Sequence, residues 1–210
     1  MRRLLPGPVE DDVSLDDAYA APERWVRGLM VTSVDGAVEV DGSSDRLSGP
    51  ADRRVLSHLR GTADVVLVGA SSVRAEGWQP PRPSPARREQ RRAAGRPEVP
   101  AYAVVSASGD FPRGEAEGEV LVVSGPPGQV LDELAGRGLT RVVCEGGPTL
   151  LAQVAAAGRL DELCLSVSPL LTGPGRAGLL QGPSWPESRA LRLTTLLEDD
   201  GWLFARYGLG

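Results

Sequence analysis

The chain has no lysine; all 23 of its basic side chains are arginine. A P-loop, whose lysine reaches the terminal phosphates of a nucleotide, is therefore excluded. Histidine is nearly as scarce. His58 stands alone, so a metal centre or a Ser-His-Asp triad would rest on that one residue, and no metal is expected. The two cysteines, Cys144 and Cys164, form no C-x-x-C pair. That excludes a zinc ribbon and leaves two small apolar side chains inside strand-like runs. Aromatic residues make up only 4% of the chain, so alanine, valine and leucine carry most of the apolar mass. No run approaches the ~20 apolar residues of a membrane span. The basic start Met1-Arg2-Arg3-Leu4-Leu5-Pro6 is not followed by an apolar run of signal-peptide length. A net charge of −5 argues against a protein built to coat nucleic acid, because counterion release needs a basic face. A soluble, cytoplasmic protein is expected, with neither membrane nor nucleic acid as partner.

What is present suffices for one domain with a real core, since 41% of the 210 residues are hydrophobic. Residues 1–23 are acidic and read as an N-terminal arm, either loose or packed as a short segment. Residues 24–210 read as a single domain. Short apolar runs predict strands over Trp25–Val31, Asp64–Gly69, Ala101–Ser106, Val120–Ser124, Arg141–Glu145 and Leu160–Pro169. A closing hairpin is expected between Leu191 and Tyr207, around Asp199-Asp200-Gly201. Helices are expected from Pro50 through Leu59, from Pro127 to Gly136 and from Thr149 to Ala157. Residues 80–100, rich in proline and arginine, read as an excursion. Continuous apolar strands alternating with helices are the pattern of an α/β domain whose sheet is mostly parallel and covered on both faces.

Four of these strands run into small or polar residues: Gly69-Ala70-Ser71-Ser72, Ser106, Ser124-Gly125 and Glu145-Gly146-Gly147. In open α/β sheets ligands bind beyond the carboxyl ends of the strands, so the four ends describe one crevice. The sharpest is Glu145-Gly146-Gly147-Pro148-Thr149. Glycine lets the backbone touch a ligand, and the unpaired N–H groups of the helix that follows suit a phosphate. Taken alone, the same turn also fits a strand-to-helix corner with no ligand. Asp35, in Ser33-Val34-Asp35-Gly36, is placed to bind a polar substrate or move a proton; it also fits an ordinary turn aspartate. The arginines Arg82, Arg87, Arg88, Arg91, Arg92 and Arg96 form either an anion-binding stripe or a solvated loop.

In order and spacing these pieces resemble the reductase domain of bifunctional riboflavin-biosynthesis enzymes, a pyrimidine reductase family with a dihydrofolate-reductase-like fold. The resemblance runs from about Trp25 to Tyr207. It is carried by Thr32-Ser33-Val34-Asp35-Gly36, by the stretch from Leu59 to Val73, and by Glu145-Gly146-Gly147-Pro148-Thr149-Leu150-Leu151. Leu160-Asp161-Glu162-Leu163 and Pro169-Leu170-Leu171-Thr172-Gly173-Pro174-Gly175 complete it. It implies a central sheet of about eight strands with flanking helices, a homodimer, and NADPH as hydride donor. The implied reaction, like that of a 5-amino-6-(5-phosphoribosylamino)uracil reductase, is hydride transfer to C1′ of a ribosylamino-pyrimidine phosphate, which opens the ribose to a ribityl chain.

The residue roles follow from the same resemblance. Asp35, the catalytic candidate of its turn, is by the resemblance a substrate contact. Ser33, Ser44, Ser48, Arg60 and Glu145 are the implied substrate contacts. Gly69, Ala70, Ser71, Ser72, Val73, Ser106, Ser124, Gly146, Gly147, Pro148, Thr149 and Leu150 are the implied cofactor contacts. Independently of the resemblance, Leu160–Leu171 is the expected dimer surface because it is an apolar, strand-rich segment. The family often carries a lysine where this chain has Leu29, and its D-x-P-x-L-T-x-R stretch is replaced by Glu76-Gly77-Trp78-Gln79-Pro80-Pro81-Arg82. Both elements help hold a ribose phosphate in the family. No H-x-E with P-C-x-x-C is present, so a stand-alone reductase module is expected. Two further readings stay open. One is a reductase of the same fold acting on a dihydropterin such as dihydrofolate; the other is a nucleotide-binding protein without turnover.

Overall fold

The computed structural model describes residues 1–20 and 22–209. Nine strands form one sheet: β1 (Arg2–Leu5), β2 (Trp25–Ser33), β3 (Val65–Gly69), β4 (Ala101–Val105), β5 (Val120–Val123), β6 (Arg141–Cys144), β7 (Glu162–Ser168), β8 (Leu191–Asp199) and β9 (Trp202–Leu209). Their order is β1-β8-β9-β7-β2-β6-β3-β4-β5. The six strands from β7 to β5 are mutually parallel, whereas β1, β8 and β9 join antiparallel. The six helices are α1 (Leu15–Ala18), α2 (Pro50–Thr62), α3 (Ala70–Glu76), α4 (Pro85–Ala93), α5 (Pro127–Gly136) and α6 (Pro148–Ala156).

Alternation along each parallel strand feeds two faces. Val65, Leu67, Val142 and Cys144 point into a core shared with α5 and α6. Val66, Val68 and Tyr102 point the other way, beneath α3. Trp25, Leu29 and Val143 pack against α2. Both faces are covered, which is why these strands read as unbroken apolar runs. Gly28 allows the closest approach. A Cβ there would lie 2.6 Å from Leu151 Cδ1, so a larger residue would require the Leu151 side chain to move for α6 to keep its seat on β2. Both cysteines are fully buried, and burial pushes their thiols up to about 12.

Two segments that the sequence left open have defined structure. Residues 2–5 are the edge strand β1, paired with β8, and Ala18 and Tyr19, in and just after α1, belong to the core of α2. The excursion at 80–100 contains α4, which lies against the end of α2. Arg91 is 1% exposed, and its guanidinium donates to the carbonyls of Gly61, Ala63 and Pro97. Arg96 donates to Thr62 O. These arginines close the C-terminus of α2, where the last carbonyls lack helical partners. Within the expected dimer surface, β7 is paired on both edges, by β2 and β9, and Leu170 and Leu171 beyond it are exposed.

Candidate active site

Topology decides where the site lies. The chain leaves β2 for β3, β4 and β5, then returns to insert β6 between β2 and β3. A crevice opens beyond the carboxyl ends at such a reversal. A cavity of about 380 Å³ occupies it. Its walls come from Leu29, Met30 and Val31 on β2, Ser44 and Ser48 on the following loop, and Asp52, Leu56 and Arg60 on α2. Ser71, Ser72, Val73 and Glu76 on α3, Tyr102 on β4, and Glu145, Gly147, Pro148 and Thr149 complete them.

Arg60 and Glu145 lock together on this wall. Arg60 Nε and Nη2 donate to the two carboxylate oxygens, each at 2.6 Å. This bidentate geometry is the strongest form of the pair. Tyr102 lies nearby; burial first, and then the Glu145 charge, push its phenol up to about 12. Ser44 donates from both its backbone N–H and its Oγ to the carboxylate of Glu76, at 3.1 and 2.8 Å. Ser48 Oγ donates to Asp52 Oδ2 at 2.5 Å.

The double-glycine turn is bound to the end of β3. Gly69 N–H donates to Gly146 O at 2.7 Å, and Gly147 N–H donates to Ser72 Oγ at 2.7 Å. Gly146 sits at φ 78°, a region open to glycine and strained for other residues. A Cβ on Gly147 would lie 2.7 Å from Ser72 Oγ. Side chains are thus kept off the turn by its neighbours as well as by any ligand. The first-turn N–H groups of Thr149 and Leu150 find no acceptor among the described residues. They are the donors a phosphate group would use.

The remaining residues singled out from the sequence fall elsewhere. Ala70 and Leu150 are buried in the two cores flanking the crevice. Ser106 and Ser124 lie beyond β4 and β5, outside the cavity wall. Ser106 Oγ accepts from Gly109 N–H at 3.0 Å. Ser33 and Asp35 also lie off the cavity wall. The Asp35 carboxylate accepts from Ser33 Oγ at 2.5 Å, from Thr172 N–H at 3.1 Å and from Gly173 N–H at 2.8 Å. The Ser33 hydroxyl first, then the Thr172 backbone, hold that carboxyl well below the usual carboxylate range. Asp35 therefore fastens the segment after β7, which reaches back to the cavity at Gln181.

Asp52, Glu76, Tyr102 and Gln181 are wall residues that sequence reasoning missed. Asp52 reads from the sequence as an acidic residue favoured by the helix dipole, and that reading hides its place on a cavity. A second cavity of about 390 Å³ shares Leu56, Arg60 and Gln79 with the first. Arg53, Ser57 and Arg82 line it, so a cationic neighbourhood adjoins a main cavity rich in carboxylates.

The family model and the curated relatives give one family, and the solved structures share its fold. The model of the RibD C-terminal domain matches residues 24–201. The riboflavin biosynthesis protein RibD of Mycobacterium tuberculosis is 33% identical over 149 residues, covering 68% of this chain. The match spans 41% of that protein's length. A solved structure of a pyrimidine reductase-like protein from Corynebacterium diphtheriae superposes with a TM-score of 0.81 at 24% identity, covering 93% of this chain and 98% of the other. Dihydrofolate reductase from Enterococcus faecalis, solved with NADP(H), gives a TM-score of 0.53 at 16% identity, covering 89% and 96%. The fold is that of the dihydrofolate-reductase-like reductases, and the chain belongs to the RibD C-terminal domain family.

Proposed function

We propose that this chain is an NADPH-dependent reductase that transfers hydride to C1′ of a ribosylamino-pyrimidine phosphate, giving the ribitylamino product of riboflavin biosynthesis. The observation that carries the reading is the meeting of two motif groups on one cavity. The turn Gly147-Pro148-Thr149 with Ser71 and Ser72 forms one wall, and Arg60 with Glu145 forms the wall beside it. Family membership points the same way, as does the nicotinamide cofactor of a protein with the same fold.

When bound, NADPH would supply the hydride. The chain's own part is to hold and align. The N–H groups of Thr149 and Leu150 and the hydroxyls of Ser71 and Ser72 would take the cofactor phosphates. Gly69 and Gly147 keep side chains away from that approach. Ser44, Ser48, Arg60 and Glu145 would contact the substrate, and the Arg60–Glu145 pair holds its charged groups in fixed directions. Arg53 and Arg82 line the adjoining cavity and would meet a substrate phosphate that reaches it. Asp35 has its carboxylate committed to the 172–173 backbone, so its part is to place that segment. The reading includes a cytoplasmic homodimer.

A second reading, reduction of a dihydropterin, is favoured by the charge of the cavity. Glu39, Asp45, Asp52, Glu76 and Glu145 line it against Arg60 alone, and Arg60 is already paired with Glu145. NADPH oxidation with each substrate separates the two. Turnover of the ribosylamino-pyrimidine phosphate supports the first reading. Turnover of dihydrofolate alone supports the second. NADPH binding without oxidation of either supports a nucleotide-binding role instead.

A further inference from the structure

Tyr102 stands on the cavity wall with an uncommitted proton. It lies on β4, is 3% exposed, and packs edge-on against Trp78 with 5.1 Å between ring centroids. Its hydroxyl donates to no acceptor among the described residues. Nor is the oxygen one of the sealed, unpartnered atoms of the interior, so it opens on the cavity that Tyr102 lines. A buried phenol normally finds a partner, and here the partner has to come from whatever fills the cavity. The neighbouring groups are already committed. Ser44 Oγ donates to Glu76, and Ser48 Oγ donates to Asp52. Glu76 and Glu145 accept hydrogen bonds on both of their oxygens. Tyr102 therefore offers the substrate wall a free O–H donor beside the Arg60–Glu145 pair.

We infer that Tyr102 is the acid that opens the ribose ring, giving its phenolic proton to the ring oxygen O4′ of the substrate. The inference rests on the reductase reading of the cavity and adds the proton donor that reading lacks. In this step the C1′–O4′ bond breaks and its electron pair moves to O4′, which takes the proton and becomes the 4′-hydroxyl. The lone pair of the exocyclic nitrogen forms a C1′=N double bond, so positive charge appears on nitrogen and negative charge on the phenolate. Hydride from the nicotinamide cofactor adds to C1′ and returns that pair to nitrogen. Water reprotonates the phenolate, so one hydride and one proton are consumed. The surroundings suit a proton held until the bond breaks. Burial first, and then the Glu145 charge, push the phenol up to about 12, while Arg60 and the Gln79 backbone favour the phenolate. As C1′–O4′ lengthens, O4′ becomes an alkoxide, more basic than a phenolate, and the transfer becomes favourable at that point.

The test uses Tyr102→Phe, which keeps the ring against Trp78 and removes the hydroxyl. Tm and NADPH affinity, expected unchanged, establish that the variant is folded. With the ribosylamino-pyrimidine phosphate, kcat is expected to fall about 100-fold while KM stays within about threefold. A second measurement needs no cofactor. Ring opening and closing interconvert the two C1′ anomers, and NMR magnetisation exchange at H1′ reports the rate. Without NADPH the unaltered chain should speed this exchange above its rate in buffer, and Tyr102→Phe should not. Exchange no faster with the unaltered chain than in buffer overturns the assignment without need of any variant. So does normal kcat in folded Tyr102→Phe, or a rise in KM alone, which would make Tyr102 a binding contact. Failure of the unaltered chain to oxidise NADPH with this substrate overturns the reductase reading and the acid with it. Turnover that Tyr102→Phe leaves intact overturns the acid alone.

Discussion

Arg60 and Glu145 are 85 residues apart in the chain and meet on the cavity wall through two parallel hydrogen bonds of 2.6 Å. One comes from the last turns of α2, the other from the residue after β6. The pair joins the helix to the turn that precedes α6, so its loss reaches both. Glu145→Gln is expected to lower turnover about tenfold or more, because one charge-assisted bond becomes neutral and the guanidinium is freed. Arg60→Leu is expected to cost about 1–3 kcal/mol of stability by leaving a half-buried carboxylate without its partner. Denaturant unfolding and steady-state kinetics on both variants check this.

The Ser72–Gly147 contact predicts a local clash. A Cβ at residue 147 would lie 2.7 Å from Ser72 Oγ, and both atoms sit on short, stiff segments. Gly147→Ala is expected to weaken NADPH binding and lower the Tm together. Adding Ser72→Ala removes the obstructing hydroxyl and should restore part of the Tm, because the two sites touch and their effects do not add. Fully additive effects would show that the contact carries no strain.

Asp35 is expected to behave as a fastening for the 170–182 segment. Asp35→Asn should speed proteolytic cleavage within that segment and lower turnover, with NADPH affinity within about twofold of the unaltered protein. The folded carboxyl titrates below its ordinary value of 3.8. Its contribution is therefore present above about pH 4 and is lost as pH falls further. The difference in Tm between the two proteins should be constant from pH 5 to pH 7 and shrink below about pH 4.

His58 carries the opposite kind of information, a group kept neutral. Burial first, and then the neighbouring Arg87, lower its pKa from 6.5 to about 4. The unfolded chain binds more protons between these values, so stability is full above about pH 6.5 and declines toward pH 4. The slope approaches ~1.4 kcal/mol per pH unit at most. A His58→Gln protein should lack that part of the decline when unfolding free energies are compared across the window.

Arg91 predicts a purely structural effect. Arg91→Leu leaves the carbonyls of Gly61, Ala63 and Pro97 without their donor. A cost of about 1.5–3 kcal/mol per charge-assisted bond is the relevant scale, so a fall in unfolding free energy of this size or more is expected. NADPH affinity measured on the protein that remains folded should be unchanged.

Much of the fold was legible because its signals are local. Apolar runs such as Val65-Val66-Leu67-Val68 announce a strand covered on both faces. Pro50 and Pro127 mark helix starts, and Asp200-Gly201 marks the hairpin. The double-glycine turn and the Gly69-Ala70-Ser71-Ser72 segment were also visible, since turn chemistry belongs to adjacent residues. Their joining through Ser72 and Gly147 needed the insertion of β6 beside β3. Asp35 and Asp52 show the limit most clearly. Both are acidic residues near the end of an element; the sequence singles out Asp35 through its turn and gives Asp52 only a place at a helix start. Tertiary structure turned one toward the 172–173 backbone and the other onto the cavity wall. The same holds for the arginines of 80–100, which read as an anion-binding stripe or a solvated loop and in part close α2. Propensity and periodicity determined the elements of this chain. Which polar side chain gains a partner, and which faces a cavity, was decided by packing, because burial and hydrogen-bond satisfaction depend on neighbours far away in sequence.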